Sequence, residues 1–213
     1  MDILTLWYEG KESDWRTALS AYYDNPSVNR NKDIESKMDT INSDNIRRMT
    51  VQEFYRFLHD EYFVWKYTAK NRLATTRSHL EKYEAEGMIQ LEKVQRGIFR
   101  AFDEDPEDTE ELICKAKRIY GLGTAGASGL LAILFPEYYG TIDQYLVYSL
   151  RRIEGLPEHS ALNKMKPESL TTKDGVVLEA ILRRKATELN EKFDSNEWNP
   201  KKIDMILWAY NRE

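Results

Sequence analysis

Apolar residues return at three- and four-residue intervals along most of this chain, the spacing that turns one face of an α-helix toward a core. The clearest case opens at Thr50-Val51-Gln52-Glu53, which has the form of a capping box. It presents Val51, Phe54, Tyr55, Leu58, Tyr62 and Trp65 on one predicted face. Upstream, Ser13 is placed to cap a helix bearing Trp15, Leu19 and Tyr22. The stretch 24–45 is polar and turn-rich and reads as a loop or a frayed helix.

Further along, Leu73, Leu80 and Tyr83 mark a helix ending near Gly87, and Leu91, Val94, Ile98, Phe99 and Phe102 mark the next. Leu112, Ile113, Ala116 and Ile119 give a short helix, with Gly121 at a left-handed terminating position. A small and then strongly apolar helix runs from Thr124 to Phe135 and is stopped by Pro136. Asp143 then opens a helix with Leu146, Val147, Leu150 and Ile153. A long helix spans about 176–192. Asn199-Pro200 caps and starts the last helix, with Ile203, Ile206, Leu207 and Tyr210. No stretch alternates as a strand does. The expected architecture is all-α, a single helical domain over residues 1–213, read also as two packed helical halves.

Composition adds boundaries to this picture. A chain of 213 residues with 41% hydrophobic and 31% charged residues can bury a core. The lone Cys114 excludes an internal disulfide and a four-cysteine metal site. His59, His79 and His159 are scattered without ligand spacing, so no metal and no cofactor is assigned. No apolar run is long enough to span a bilayer, and the first residues lack the pattern of a signal peptide, so a cytoplasmic protein is expected. Net charge is −5, which argues against nucleic acid at first sight. Seven of the acids lie in residues 103–111, however, and without them 31 basic residues face 29 acidic ones. Arg47-Arg48, Arg151-Arg152, Arg183-Arg184-Lys185 and Lys201-Lys202 are candidate phosphate contacts, or routine helix-surface charges.

Candidate chemistry concentrates in Tyr120-Gly121-Leu122-Gly123-Thr124-Ala125-Gly126-Ala127-Ser128-Gly129 and in Ile142-Asp143. Gly121 and Gly123 permit a tight turn with positive φ. The helix that follows begins at Thr124, so its free amides and positive dipole end face the turn and can hold a phosphate. The small residues Ala125, Gly126, Ala127 and Gly129 let that helix pack closely on its neighbours. Asp143 is well suited to cap its helix, which by itself accounts for the residue type.

Residues 112–153 resemble the helix-hairpin-helix DNA glycosylase superfamily, of the 8-oxoguanine and adenine glycosylase type. The resemblance rests on Gly121-Leu122-Gly123, Ala127, the apolar run Leu130 to Leu134, Pro136 and Ile142-Asp143. It implies a helical base-excision-repair hydrolase that binds DNA and flips a damaged base into a pocket between helical halves. Gly121, Leu122, Gly123, Thr124, Ala125 and Gly126 would hold the DNA backbone. Asp143 would stabilise the cationic sugar and activate water. Bifunctional members carry a lysine where this chain has Ala125, so hydrolysis without strand cleavage by that route is implied. The alternative is a non-catalytic hairpin module that binds nucleic acid or a protein partner. No membrane partner is expected, and the sequence does not fix an oligomeric state. Lys66, Trp65, Trp208 and Tyr210 read as a solvated lysine and packing aromatics.

Overall fold

The computed structural model describes residues 1–29 and 31–211. Helices form where a short polar side chain can take the unpaired amides of a first turn. Asp2 does this for α1 (Ile3–Glu9). Ser13 does not do it for α2 (Glu12–Asp24), whose start is Lys11 in a reciprocal arrangement with Asp14. Ser13 lies inside the first turn, two residues past the cap position at Lys11.

The stretch expected as a loop or frayed helix holds α3 (Pro26–Asn29), α4 (Lys32–Asp39) and α5 (Ser43–Arg48). Each turns few residues inward: Val28 from α3, Glu35 and Met38 from α4, Ile46 from α5. Helices this short leave no periodic run to read, and one of the inward residues is a carboxylate.

Thr50 and Glu53 form the expected capping box at the start of α6 (Val51–Arg56). A π-helical segment, Phe57–Tyr62, follows, and then α7 (Phe63–Lys66). The wider π turn inserts a residue and rotates what comes after it. Beyond it Trp65 still packs against the core, beside the buried Tyr62, but is only partly buried, as is Lys66.

Next come α8 (Lys70–Leu80), α9 (Lys82–Glu86), α10 (Ile89–Glu104) and α11 (Thr109–Ala116). Ile119, expected within that last helix, is buried in the turn beyond it. The central helix is α12 (Thr124–Leu134), buried from Gly126 to Leu134. Its companions are α13 (Gln144–Arg151), α14 (His159–Lys164), a 3₁₀ turn at Pro167–Ser169, α15 (Thr172–Phe193) and α16 (Pro200–Ala209). Ile153 packs in the core just past α13 rather than on it.

Helix α11 packs against α10, α12 and α15, while α16 packs against α2, α13 and α15. One continuous cluster of buried side chains runs from Ile3 to Leu207, so the early helices complete the same core as the hairpin region. Every helix and turn among the described residues belongs to an all-α fold without strands. None of these helices is long and apolar enough to cross a membrane.

Candidate functional site

The glycine hairpin between α11 and α12 has the expected left-handed turn at Gly121 alone: Gly123 is extended, with φ of −90° and ψ of −171°, a conformation open to any residue, and α11 ends at Ala116, well before Gly121. Gly121 has φ of 91°, a left-handed conformation. A Cβ there would stand 2.9 Å from Thr76 Cγ2 and 3.0 Å from its carbonyl oxygen, so the turn rests directly on α8. Gly123 begins α12 and no side chain caps it. The helical ladder starts with Ala127 N–H donating to Gly123 O at 2.8 Å. The amides of Thr124, Ala125 and Gly126 precede that ladder and form the anion-receptive end of the helix. Gly123 is exposed, Gly121 and Ala125 are partly exposed, and Leu122, Thr124 and Gly126 have their side-chain positions buried. The hairpin therefore offers backbone, not side chains.

The small residues on α12 have a definite neighbour. At Gly126 a Cβ would meet the Tyr67 hydroxyl, and at Gly129 it would lie 3.0 Å from the Tyr62 hydroxyl and 3.3 Å from Lys66 Cδ. Tyr62 also donates its hydroxyl to Gly126 O. Thus α12 accepts the end of α7 at close range and sets the direction of Lys66.

Asp143 lies beyond a loop whose last three amides are held by buried side chains. Gly140 N–H donates to Glu179 Oε2 (3.0 Å), Thr141 N–H to Asp204 Oδ2 (3.0 Å) and Ile142 N–H to Ser128 Oγ (2.9 Å). These acceptors come from α15, α16 and α12, so three helices fix the approach to one carboxylate. Asp143 caps α13, with Oδ1 accepting from Tyr145 N–H (2.8 Å) and Leu146 N–H (3.2 Å). The capping role expected of its residue type is real, and Oδ1 alone performs it.

Asp143 lines a cavity of about 610 Å³. Its walls include Tyr22, Glu35, Trp65, Lys66, Tyr67, Asp204 and Trp208, with Arg72 among the remaining lining residues. That volume falls within the range of small-molecule sites, which are typically about 300–1,000 Å³. Inside it, Glu35 accepts the Tyr22 hydroxyl (2.6 Å) and the Trp65 indole N–H (2.7 Å). Burial holds the Glu35 carboxyl above its ordinary range despite those two donors. Burial also pushes the Lys66 ammonium down, opposed by the charges of Asp143 and Asp204. Asp204, 6% exposed, is held well above the ordinary carboxylate range by burial and then by Asp143. Three carboxyls, Glu35, Asp143 and Asp204, and the Lys66 amine thus share one partly desolvated space with aromatic walls.

The cavity gathers residues whose sequence signals pointed elsewhere. Trp208 is one of its walls and also packs edge-on against Tyr22 at 5.4 Å. Lys66, read from sequence as solvated, points its stem across Gly129 toward the same space. Asp204 and Glu35 carried no signal: Asp204 is a lone acid on α16, and Glu35 is one of three acids on the short polar α4, at the other end of the chain. Tyr210 is a packing residue, terminating α16 and donating its hydroxyl to Met1 O.

The candidate phosphate contacts are mostly internal fasteners. Arg47 pairs with Asp103, Arg184 with Glu158, Lys185 with Glu188 and Lys201 with Asp39. Arg151 donates to the carbonyls of Leu162 and Met165, Arg152 to Tyr210 O, Arg183 to Thr109 Oγ1 and Lys202 to Glu197 O. The basic surface that does adjoin the hairpin is α8. It carries Lys70, Arg72, Arg77 and His79 and no acid, with Thr76 and His79 against Gly121, Arg72 at the cavity and Arg77 turned inward onto His59 O and Asp60. Comparison of the chain with protein-family models, with curated proteins and with solved structures gives no match.

Proposed function

We propose that this protein is a DNA glycosylase-like enzyme that hydrolyses the N-glycosidic bond of a flipped, damaged or modified base. The observation that carries the reading is Asp143 on the wall of an aromatic-lined cavity, reached by a clamped loop beside a glycine hairpin. The open amides before Ala127 and the basic helix α8 would hold the backbone of a duplex. The cavity would take the extruded base between aromatic walls. Asp143 Oδ2, the oxygen not used for capping, would face the sugar, steady its developing positive charge and take a proton from the attacking water.

Ala125 leaves the hairpin without an amine, so release of the base would leave the sugar in an unbroken strand. Incubation with duplexes carrying different modified bases should therefore produce alkali-labile sites without prior cleavage. Asp143→Asn isolates the chemistry, because Asn caps a helix about as well as Asp. A loss of at least about 10²-fold in base release is expected for it.

A second reading is a hairpin module that binds without catalysis. The observation in its favour is that most basic residues outside α8 are consumed by internal partners. Duplex binding that weakens steeply with salt, together with no base release across the panel, would favour it.

A further inference from the structure

A second cavity, of about 480 Å³, shares no lining residue with the cavity of Asp143. Its size also falls in the range of small-molecule sites. Its walls come from α15, from the loops before α11 and α13, and from the chain entering α16.

Buried polar side-chain atoms without a hydrogen-bond partner are few among the described residues. Two of them, Arg183 Nη1 and Trp198 Nε1, belong to walls of this one cavity. Trp198 is 2% exposed and has a fixed place. Asn190 Nδ2 donates to its carbonyl (2.7 Å), Asn190 Oδ1 accepts its N–H (2.9 Å), and its ring packs edge-on against Trp15 at 6.1 Å. Arg183 donates from Nη2 to Thr109 Oγ1 (2.6 Å) and lies 5.6 Å from the centre of the Tyr139 ring. Its charge reaches Glu179, one turn back, but Nη1 makes no direct contact there. A fold normally satisfies its buried donors. Two left open on one wall call for an acceptor, and a guanidinium is best answered by an anionic one.

The loops supply the opposite charge. Glu107 and Glu137 are exposed members of the same lining. Glu137 accepts the Asn199 side-chain amide (3.1 Å), and neither carboxylate pairs with a cation among the described residues. Arg184 is already matched, with bonds of 2.6 and 2.8 Å to Glu158. One guanidinium and two carboxylates thus remain without a counter-charge around one small space. A solute that answers all three carries one carboxylate and two cationic groups.

We infer that this cavity is a second ligand site, for a dibasic amino acid. The ligand carboxylate is taken by Arg183 and the Trp198 indole N–H, and its two ammonium groups by Glu107 and Glu137. The site is separate from the chemistry proposed for Asp143 and needs no DNA.

Calorimetric titration of the full chain with L-lysine at neutral pH tests this, with cadaverine and L-norleucine as controls. Lysine should bind saturably at one site per chain. Cadaverine lacks the carboxylate and should bind about 10-fold more weakly or worse, the usual loss for a hydrogen bond to a charged group. Norleucine lacks the side-chain ammonium and should lose about 2–5-fold, because ion pairs to exposed carboxylates are weak. Glu107→Gln and Glu137→Gln alter the surface alone, so each should leave melting unchanged and lower lysine affinity by about 2–5-fold. Trp198→Phe keeps an aromatic ring and removes the open N–H, and should lower the affinity about 10-fold where a melt shows it folded. Absence of saturable binding at millimolar lysine would overturn the inference. So would cadaverine and norleucine binding as tightly as lysine, or lysine affinity unchanged in the Glu107→Gln/Glu137→Gln double variant. None of these outcomes bears on the glycosylase reading.

Discussion

The hairpin turn before α12 and the loop before α13 are both short connections that deliver the chain to a helix start, yet they are built in opposite ways. At Gly123 the turn ends without a cap, and a Cβ there would meet nothing within 4 Å. In the loop, three successive amides from Gly140 to Ile142 end on Glu179, Asp204 and Ser128, all buried. Open amides at a helix N-terminus suit an anionic ligand. Amides closed by buried acceptors suit a residue that must not move. The pair teaches that helix starts of one chain divide into a receiving end and a holding end. Side chains in the preceding turn decide which is which.

Substitutions can break that contrast, beginning with the largest effect. Gly121→Val forces a branched residue into a left-handed conformation and into Thr76. A loss of roughly 2–4 kcal/mol of stability is expected, combining the backbone and overpacking costs, and a thermal or denaturant melt measures it. Ser128→Ala strands the Ile142 amide in a buried site at a cost of about 1–3 kcal/mol. If the loop exists to hold Asp143, that variant should also lose base release at temperatures where it remains folded, and keep its duplex affinity.

Glu179→Gln sharpens the same point through pH. Burial holds the Glu179 carboxyl well above the ordinary glutamate range. Its folded value is raised, so its stabilising contribution is complete below about pH 4.3, the ordinary value, and is lost as pH rises through the folded value. The wild type should therefore melt lower as pH is raised, and the Gln variant should show a flatter dependence because it keeps an acceptor for Gly140 without a titrating proton. The smallest structural effect is expected for Gly123→Ala, within about 0.5 kcal/mol of wild type in stability. Its added methyl covers the open amides, so duplex affinity should fall while melting does not change.

The sequence made the receiving end more legible than the rest of the site. Gly121 and Asp143 follow from local rules about turns and caps, and the structure places Gly121 in the left-handed region and Asp143 at a helix cap, whereas Gly123 takes an extended conformation that does not require glycine. Helices α6, α10, α12 and α16 are long or apolar enough for their periodicity to declare them. The opposite wall of the cavity was not legible, for identifiable reasons. The π turn at Phe57–Tyr62 changes the register between Phe54 and Lys66, so a straight helical projection puts Trp65 in the core and Lys66 in solvent. Glu35 sits on a helix of eight residues in a polar stretch, and its partners Tyr22 and Trp65 are distant in sequence. Asp204 looks like an ordinary surface acid on α16 until the loop from 140 to 142 is folded against it. Basic pairs were a misleading guide, because a local count of charge cannot see the carboxylate or carbonyl each one reaches. The absence of any acid from α8 was a better one, and the weak apolar pattern of that helix is what hid it.

The central claim is that Asp143 does chemistry in addition to capping α13. Single-turnover base release by wild type and Asp143→Asn, on a panel of modified duplexes and with matched melting temperatures, tests it most directly. The account predicts release by the wild type that leaves intact strands with alkali-labile sites, and release slowed at least about 10²-fold by the substitution. Equal rates for the two proteins would show that Asp143 only caps its helix, and would contradict the account.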